Sequence, residues 1–279
     1  MGWLPEEMDA VIAVQVPVLA ESLGPDTAAD PAKALPALGL PDGVTRAIES
    51  MSVVGLREVD HLVVGMRFNQ VPPQLVLVLR TRSRFNADDL DRRTKSREQE
   101  RDGRALRATK GGALGDVYWW AADDRTLVVT MLARDFDAVP KRPRPGLEQL
   151  KPQLRTLIET QVAQNACAWL VGESETWAAT VRGYTLLPLT ALSGRTDLVE
   201  PAGRLRSFAM SVPAADERIV LTVALKAAEA ATGLRSTWAN RFAGEPIEVG
   251  GEGEVIQLQT PKDANRVGSL FGRLIGPKQ

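Results

Sequence analysis

The sequence has one cysteine, one histidine and few aromatic residues, and each shortage removes a class of function. With Cys167 alone, the chain has neither an internal disulfide nor a cysteine-based zinc site. With His61 as its only histidine, it lacks the paired-histidine metal motifs, and we assign no metal ligand. Aromatic residues make up 5% of the chain, too few for the long stacking platforms that bind single-stranded nucleic acid.

Charge of one sign and long hydrophobic runs are also missing. The net charge is −1, so the chain as a whole has no electrostatic attraction to nucleic acid or anionic lipid. The sequence contains no run of eighteen uninterrupted apolar residues, so it predicts no membrane-spanning helix. The start, MGWLPEEMDAVIAV, has no basic region followed by a long apolar one, as a signal peptide would. We therefore expect a cytoplasmic protein if the chain is complete as written, and an extracytoplasmic one if an export segment was removed.

Motifs for catalysis and nucleotide binding are not found. The segment GESET around Ser174 lacks the final glycine of a nucleophile elbow, and Cys167 lies in the apolar run ACAWLV, typical of a buried thiol. The glycine-rich segments KGGALGD and VGGEGEV have neither dinucleotide-binding nor P-loop spacing. We predict no catalytic residue, no cofactor and no enzyme activity.

Apolar runs separated by turn residues predict strands, several of them in hairpins. The pairs VDHLVVGMRF with QLVLVLRTR, and DVYWW with TLVVTM, are predicted to form two hairpins, the second turning at about Ala122–Asp124. The charged segment from Asn86 to Gly103 predicts one helix, with Asn86 as its N-cap. After the linker KRPRPG, the apolar spacing predicts a long amphipathic helix beginning near Gly146. Further helices are predicted from Arg134 to Pro140, from Trp177 to about Leu192, and after residue 262.

The order of these elements occurs twice. Aligning Gln74 with Arg218 places QLVLVL on RIVLTV, and a slightly different offset places TLVVTMLARDF on EVIQLQTPKDA. We therefore predict an α+β fold of two pseudo-repeated modules, residues 1–145 and 146–279, closely packed on each other. Because hairpins dominate, each module is predicted to be mainly antiparallel sheet with helices packed on one face.

The first half resembles an uncharacterised family of bacterial proteins, many of them exported or membrane-tethered. The family's LP-x-D-x-DAV start matches Leu4, Pro5 and the segment 9–11. A hairpin step matches at Val59, Asp60, Val63 and Val64, and the following strand matches at 76–80 with Phe85. The resemblance covers mainly residues 4–139. It implies repeated strand–hairpin–helix modules and brings no established activity or catalytic residue.

Two groups of residues are candidates for contact with a ligand or partner. Arg80, Arg82 and Arg84 alternate at the end of a strand and lie on one face if the strand continues, which suits an anion; a solvated strand end is the alternative. Trp119 and Trp120 point to opposite faces of their strand. One is expected in the core and the other at an exposed aromatic contact.

Three functions remain open, in this order. The first is a non-catalytic binding or scaffold protein of a bacterial envelope or sensory system, with an unknown protein partner. The second is a binder of polyanions through residues 80–107, which hold ten basic against six acidic residues, a net charge of 10 − 6 = +4. No specific nucleic-acid motif accompanies that segment. The third is an enzyme with a site between the two modules.

Overall fold

A computed structural model describes residues 1–30, 33, 48, 51–68, 74–110, 115–173, 204–215 and 218–262. Twelve strands form a single sheet in the order β11-β12-β10-β9-β8-β1-β2-β3-β7-β6-β5-β4. The strands are β1 Ala10–Gln15, β2 Val59–Arg67, β3 Gln74–Thr81, β4 Arg97–Arg101, β5 Arg104–Lys110, β6 Asp116–Ala121, β7 Thr126–Thr130, β8 Ala166–Glu173, β9 Leu205–Pro213, β10 Arg218–Leu225, β11 Glu248–Gly250 and β12 Val255–Pro261.

Five α-helices lie wholly within the described residues. They are α1 Val16–Ser22, α2 Pro25–Ala29, α3 Ala87–Thr94, α4 Pro152–Gln161 and α5 Ala228–Arg241. Short 3-10 turns at Leu56–Glu58 and Ala133–Ala138 connect other elements. Every strand pairing is antiparallel, which confirms the predicted α+β class and the antiparallel sheet.

The centre of the sheet is the pairing of β1 with β8, where strands of the two predicted modules meet. Outward from β1 the order is β2, β3 and β7, and outward from β8 it is β9, β10 and β12. Each half thus places a strand, a hairpin and a later strand in the same sequence. This strand order is compatible with an internal duplication and with a boundary at residue 145, and both stay predictions.

Both faces of the sheet carry an apolar core, because alternate residues of each central strand point to opposite faces. On the first face, Ile12 of β1 belongs to a cluster that includes Leu19 of α1 and Leu90 of α3. On the second face, Val11 packs in a cluster with Phe136 and with Leu154 of α4. Helices α1, α3 and α5, the last through Ala231, therefore pack on the first face. Helix α4 packs on the second face, so the prediction that all helices lie on one face is wrong for α4.

The charged segment after Asn86 is shorter as a helix than the sequence indicates. The Asn86 side chain does cap α3, accepting hydrogen bonds from the backbone N–H groups of Asp88 and Asp89. The helix ends at Thr94, and residues 97–101 form the edge strand β4 instead. A two-residue turn at Asp102–Gly103, with φ of 53° and 69°, joins β4 to β5. Almost all of β4 is exposed, so it lacks the apolar alternation by which strands are recognised.

Two further helix predictions are corrected. The amphipathic helix begins at Pro152 rather than near Gly146, because proline lacks an N–H and suits the first helical turn. The predicted helix after Arg134 is a 3-10 turn, Ala133–Ala138, followed by Pro140. Helices predicted at 177–192 and after residue 262 lie outside the described residues.

Gly172 of β8 provides a test of the central packing. Phe208 lies opposite Gly172 on β9, and a Cβ atom at position 172 would overlap the phenyl ring. We expect Gly172→Ala to lower the free energy of unfolding by about 1–3 kcal/mol, the usual cost of overpacking. Chemical denaturation measures the change.

The matched control is Gly250→Ala in edge strand β11, where nothing lies within 4 Å of the added methyl group. A Gly172→Ala protein as stable as the Gly250→Ala protein would show that Phe208 moves aside without cost.

Candidate functional site

The strand does not continue through the three predicted arginines, as a shared face would require. β3 ends at Thr81, so Arg80 is the only one of the three inside the strand. Beyond the strand end, the Arg82 Nε donates weakly to the Val59 carbonyl oxygen, over 3.5 Å. Arg84 forms an ion pair with Asp124 at 2.9 Å. The structure therefore separates Arg80 from the other two.

Arg80 lies in a polar row that crosses four strands. The register pairs Gln15 of β1 with His61 of β2, His61 with Arg80 of β3, and Arg80 with Thr126 of β7. Directly paired residues project from the same face of a sheet. The row, called the polar row below, therefore places an amide, an imidazole, a guanidinium and a hydroxyl side by side.

A second row, two residues further along the strands, is apolar. It pairs Trp169 of β8 with Ala13, Ala13 with Val63, and Val63 with Val78. The alternation of side chains along each strand places this row on the same face as the polar row. Ala13 at its centre has the smallest side chain of the four, which leaves space above the middle of the sheet.

A pocket of about 430 Å³ lies over these two rows, and we call it the Arg80 pocket. Trp3 forms part of its wall. The Trp3 ring packs edge-on against Trp120, with 5.3 Å between centroids and 86° between planes. The Arg104 guanidinium lies 4.9 Å from the centroid of the Trp120 ring on a cation–π contact. This stack fixes the position of the Trp3 wall.

The two tryptophans of β6 have different surroundings. Trp119 is fully buried, with the Arg107 guanidinium 5.3 Å from its ring centroid. The prediction of an exposed contact at Trp119 is therefore wrong, since this ring belongs to the core. Trp120 is half-buried and supports Trp3 beside the Arg80 pocket.

Arg80 is exposed, and its charge has no partner in the described ranges. The other ionisable groups of the pocket are engaged: His61 Nδ1 lies 2.8 Å from an Asp60 carboxylate oxygen, and Arg144 pairs with Glu6. The residues that line the pocket are Met1, Gly2, Trp3, Ala13, Val14, Gln15, His61, Leu62, Val63, Val78, Arg80, Thr126, Pro143, Arg144, Ala166, Cys167 and Trp169. Among these described residues there is no carboxylate.

Most of the basic segment 80–107 is neutralised by acidic partners. Seven of its ten basic residues form ion pairs: Arg84–Asp124, Arg92–Asp89, Arg93–Glu58, Arg97–Asp116, Arg101–Asp137, Arg104–Asp102 and Arg107–Asp91. Four of the acidic partners lie outside the segment, at 58, 116, 124 and 137, and their charges offset the net +4 of the segment. Two of the carboxylates are shared with basic residues outside the segment, Asp116 with Lys110 and Asp102 with Lys141.

A cluster of three buried or half-buried charges lies at the other end of the β1–β8 pair, and sequence reasoning missed it. Lys151 Nζ is 2.6 Å from an Asp9 carboxylate oxygen and 3.4 Å from a Glu173 oxygen. Asp9 is 1% exposed and Glu173 6%. The Phe68 N–H also donates to Asp9, over 2.7 Å. We call Asp9, Lys151 and Glu173 the Lys151 cluster.

The pKa of Lys151 reflects two opposed effects. Burial lowers the pKa, whereas the hydrogen bonds and charges of Asp9 and Glu173 raise it, and the net result is a pKa above the ordinary lysine value. Lys151 is thus held as a cation, unsuited to act as a neutral nucleophile or base at pH 7. An open pocket of about 590 Å³ adjoins the cluster. It is lined by Glu6, Glu7, Asp9, Arg67, Glu148, Gln149, Leu150, Lys151, Pro152 and Arg155.

The remaining reactive group, Cys167, is structural. Its thiol donates to the Val212 carbonyl oxygen at 3.3 Å and lies near Ser22 in the first-face core. Burial raises the pKa of the Cys167 thiol, which disfavours the thiolate. Ser174 lies outside the described residues. Within the described ranges, no helix has the length and apolarity to cross a membrane, and no cluster of three potential metal-ligating side chains occurs.

Comparison with known proteins supports the fold alone. No family model matches the chain, and no curated protein matches it by sequence. Two solved structures of TP0453 are similar over nearly the whole chain. Crystal form III has a TM-score of 0.53 at 9% identity, covering 97% of this chain and 96% of that one. Crystal form I has a TM-score of 0.50 at 12% identity, covering 96% and 94%.

Lys151 is expected to be required for stability. In Lys151→Met, the buried carboxylates of Asp9 and Glu173 lose the ammonium group that contacts both of them. We expect the free energy of unfolding at pH 7 to fall by about 3 kcal/mol, the lower end of the cost of breaking a buried ion pair. Denaturant titration measures this change.

The control is Lys141→Met, which removes an exposed pair with Asp102 and is expected to cost less than about 1 kcal/mol. Because the folded-state pKa of Lys151 is raised, its contribution is complete below the ordinary lysine pKa and is lost as pH rises through the folded value. The difference between wild type and Lys151→Met should therefore shrink above about pH 10.5. A difference unchanged up to about pH 12 would contradict this origin.

Proposed function

We propose that the protein is a non-catalytic binding protein whose ligand occupies the Arg80 pocket. The observation that carries the proposal is the combination of an apolar floor with a guanidinium that has no partner in the described part of the chain. Ligand pockets commonly have this composition, mostly apolar with a few polar groups that orient the ligand. The volume of about 430 Å³ suits a small molecule.

The arrangement of reactive groups supports a non-catalytic role. The Cys167 thiol lies in the first-face core, whereas His61 belongs to the polar row on the second face. A nucleophile and its base must lie within hydrogen-bond reach of each other. Cys167 and His61 lie on opposite faces of the sheet and do not meet this condition. Lys151 is stabilised as a cation by two carboxylates. Each group thus has a structural explanation that does not require catalysis.

Binding of polyanions through residues 80–107 is less well supported. A polyanion would have to displace the acidic partners from the arginines of this segment, which leaves no net gain in charge pairing. The role in a bacterial envelope or sensory system, like membership of the uncharacterised bacterial family, rests on the resemblance of residues 4–139. We retain both as proposals.

The uncharged probe N-phenyl-1-naphthylamine, whose fluorescence increases in apolar surroundings, tests the proposed function. We expect saturable binding at one site per chain, with a Kd on the order of 10–100 μM, as ligand efficiency predicts for a molecule of this size. Ala13→Leu fills the centre of the pocket floor and should weaken binding about tenfold or more. Fluorescence titration measures both.

The matched control is Ala105→Leu, the same substitution at an exposed position of β5 outside the pocket. This variant should bind the probe like wild type. The proposed function fails if wild type shows no saturable binding, or if Ala13→Leu binds as tightly as Ala105→Leu while both remain folded by circular dichroism.

A further inference from the structure

We propose that the ligand of the Arg80 pocket is a small organic acid: a compact apolar body that carries one anionic group, a carboxylate or a sulfonate. Arg80 is the residue that selects this anionic group. The inference rests on the proposed function, because it names the class of ligand that the same pocket takes.

The sign of the charge follows from the pocket lining. Arg80 contributes a guanidinium, the cationic group of arginine. Its direct cross-strand neighbours, His61 and Thr126, are not acidic, and the nearby Asp60 carboxylate is bonded to His61 Nδ1. The second cation of the lining, Arg144, is already paired with Glu6. One positive charge is therefore left for a ligand, which matches a single anionic group better than a multiply charged phosphate.

The pocket beside the Lys151 cluster provides an internal comparison. Its lining contains four carboxylates and three cations, a net charge of −1, and Arg67 and Lys151 are paired there with Glu7 and Asp9. The Arg80 pocket, which is smaller, contains two cations and no carboxylate among its described lining residues. Of these two pockets, the Arg80 pocket has the charge balance that attracts an anion.

The sheet geometry sets the size of the ligand. Trp169 and Arg80 belong to strands three positions apart, β8 and β3, so about 14 Å separates their backbones at the usual strand spacing. The apolar and polar rows are two residues apart along each strand, or about 7 Å. A body of about two fused rings over Ala13 and Val63 thus reaches Arg80 through a directly attached acid group.

The orientation of the ligand follows from the same rows. The apolar body lies over the floor between Trp3 and Trp169, where its burial contributes most of the binding energy. The acid group lies at the polar row and accepts hydrogen bonds from the Arg80 guanidinium. Arg80 therefore determines selectivity, and the floor determines affinity.

Two matched probes test this inference. 8-Anilinonaphthalene-1-sulfonate has nearly the same rings as N-phenyl-1-naphthylamine and adds one anionic group. We expect wild type to bind the sulfonate about tenfold or more tightly than the uncharged probe, as one charge-assisted hydrogen bond predicts. Arg80→Gln should lose this advantage, which is measured as the ratio of the two probe affinities within each variant, and Arg80→Lys should retain part of it.

Arg84→Gln is the control, because Arg84 is an exposed arginine of the same segment that is paired with Asp124 and lies outside the pocket. It should bind both probes like wild type. Equal wild-type affinities for the two probes would overturn the inference, and so would equal losses of sulfonate affinity in Arg80→Gln and Arg84→Gln. In both cases saturable binding of the uncharged probe leaves the proposed function standing. If neither probe binds to wild type, the proposed function itself is overturned.

Discussion

The pairing of β1 with β8 is the interaction on which the rest of the structure depends. It is the one pairing among the described strands that joins the first half of the chain to the second. Without it, each half would present an unpaired sheet edge. At one end of the pair, the Glu173 N–H donates to the Asp9 carbonyl oxygen, so the two acidic residues are neighbours across the strands. Lys151 lies between the two carboxylates and offsets their buried negative charges.

The second face of β1 shows how one strand produces two different surroundings. Asp9, Val11, Ala13 and Gln15 succeed one another on this face, since alternate residues share a side of the sheet. Asp9 belongs to the Lys151 cluster and Val11 to the core, whereas Ala13 and Gln15 contribute to the floor and the polar row. The charged cluster and the Arg80 pocket are thus opposite ends of one continuous surface, separated by the apolar residues between them.

The strands with buried, β-branched residues could be predicted from the sequence, as β3 and β7 illustrate, because their apolar runs report burial directly. The edge strand β4 could not, since its charged residues face solvent on both sides and look like a helix surface. The Lys151 cluster was missed for another reason: Asp9, Lys151 and Glu173 are far apart in the chain and meet only through the β1–β8 register. The sequence shows an aspartate just before β1 and a glutamate at the end of β8, but it does not show that these two strands pair. The polar row also requires registers between four strands, so Arg80 was found only as part of an arginine group.

The difference between Arg80 and the other arginines has a simple physical origin. Arginines beyond the strand ends lie near turns, where carboxylates are common because they stabilise the turn backbone. Asp123 does so by accepting a hydrogen bond from the Arg125 N–H, and Asp124 beside it pairs with Arg84. Inside β3, the neighbours of Arg80 are fixed by the register, and its side chain projects beside His61 and Thr126 rather than beside an acid. The cost of leaving Arg80 unpaired is small while it stays exposed to water. Its charge therefore remains available at the rim of an apolar pocket. A ligand with an apolar surface and an anionic group would be stabilised there both by burial on the pocket floor and by pairing with Arg80.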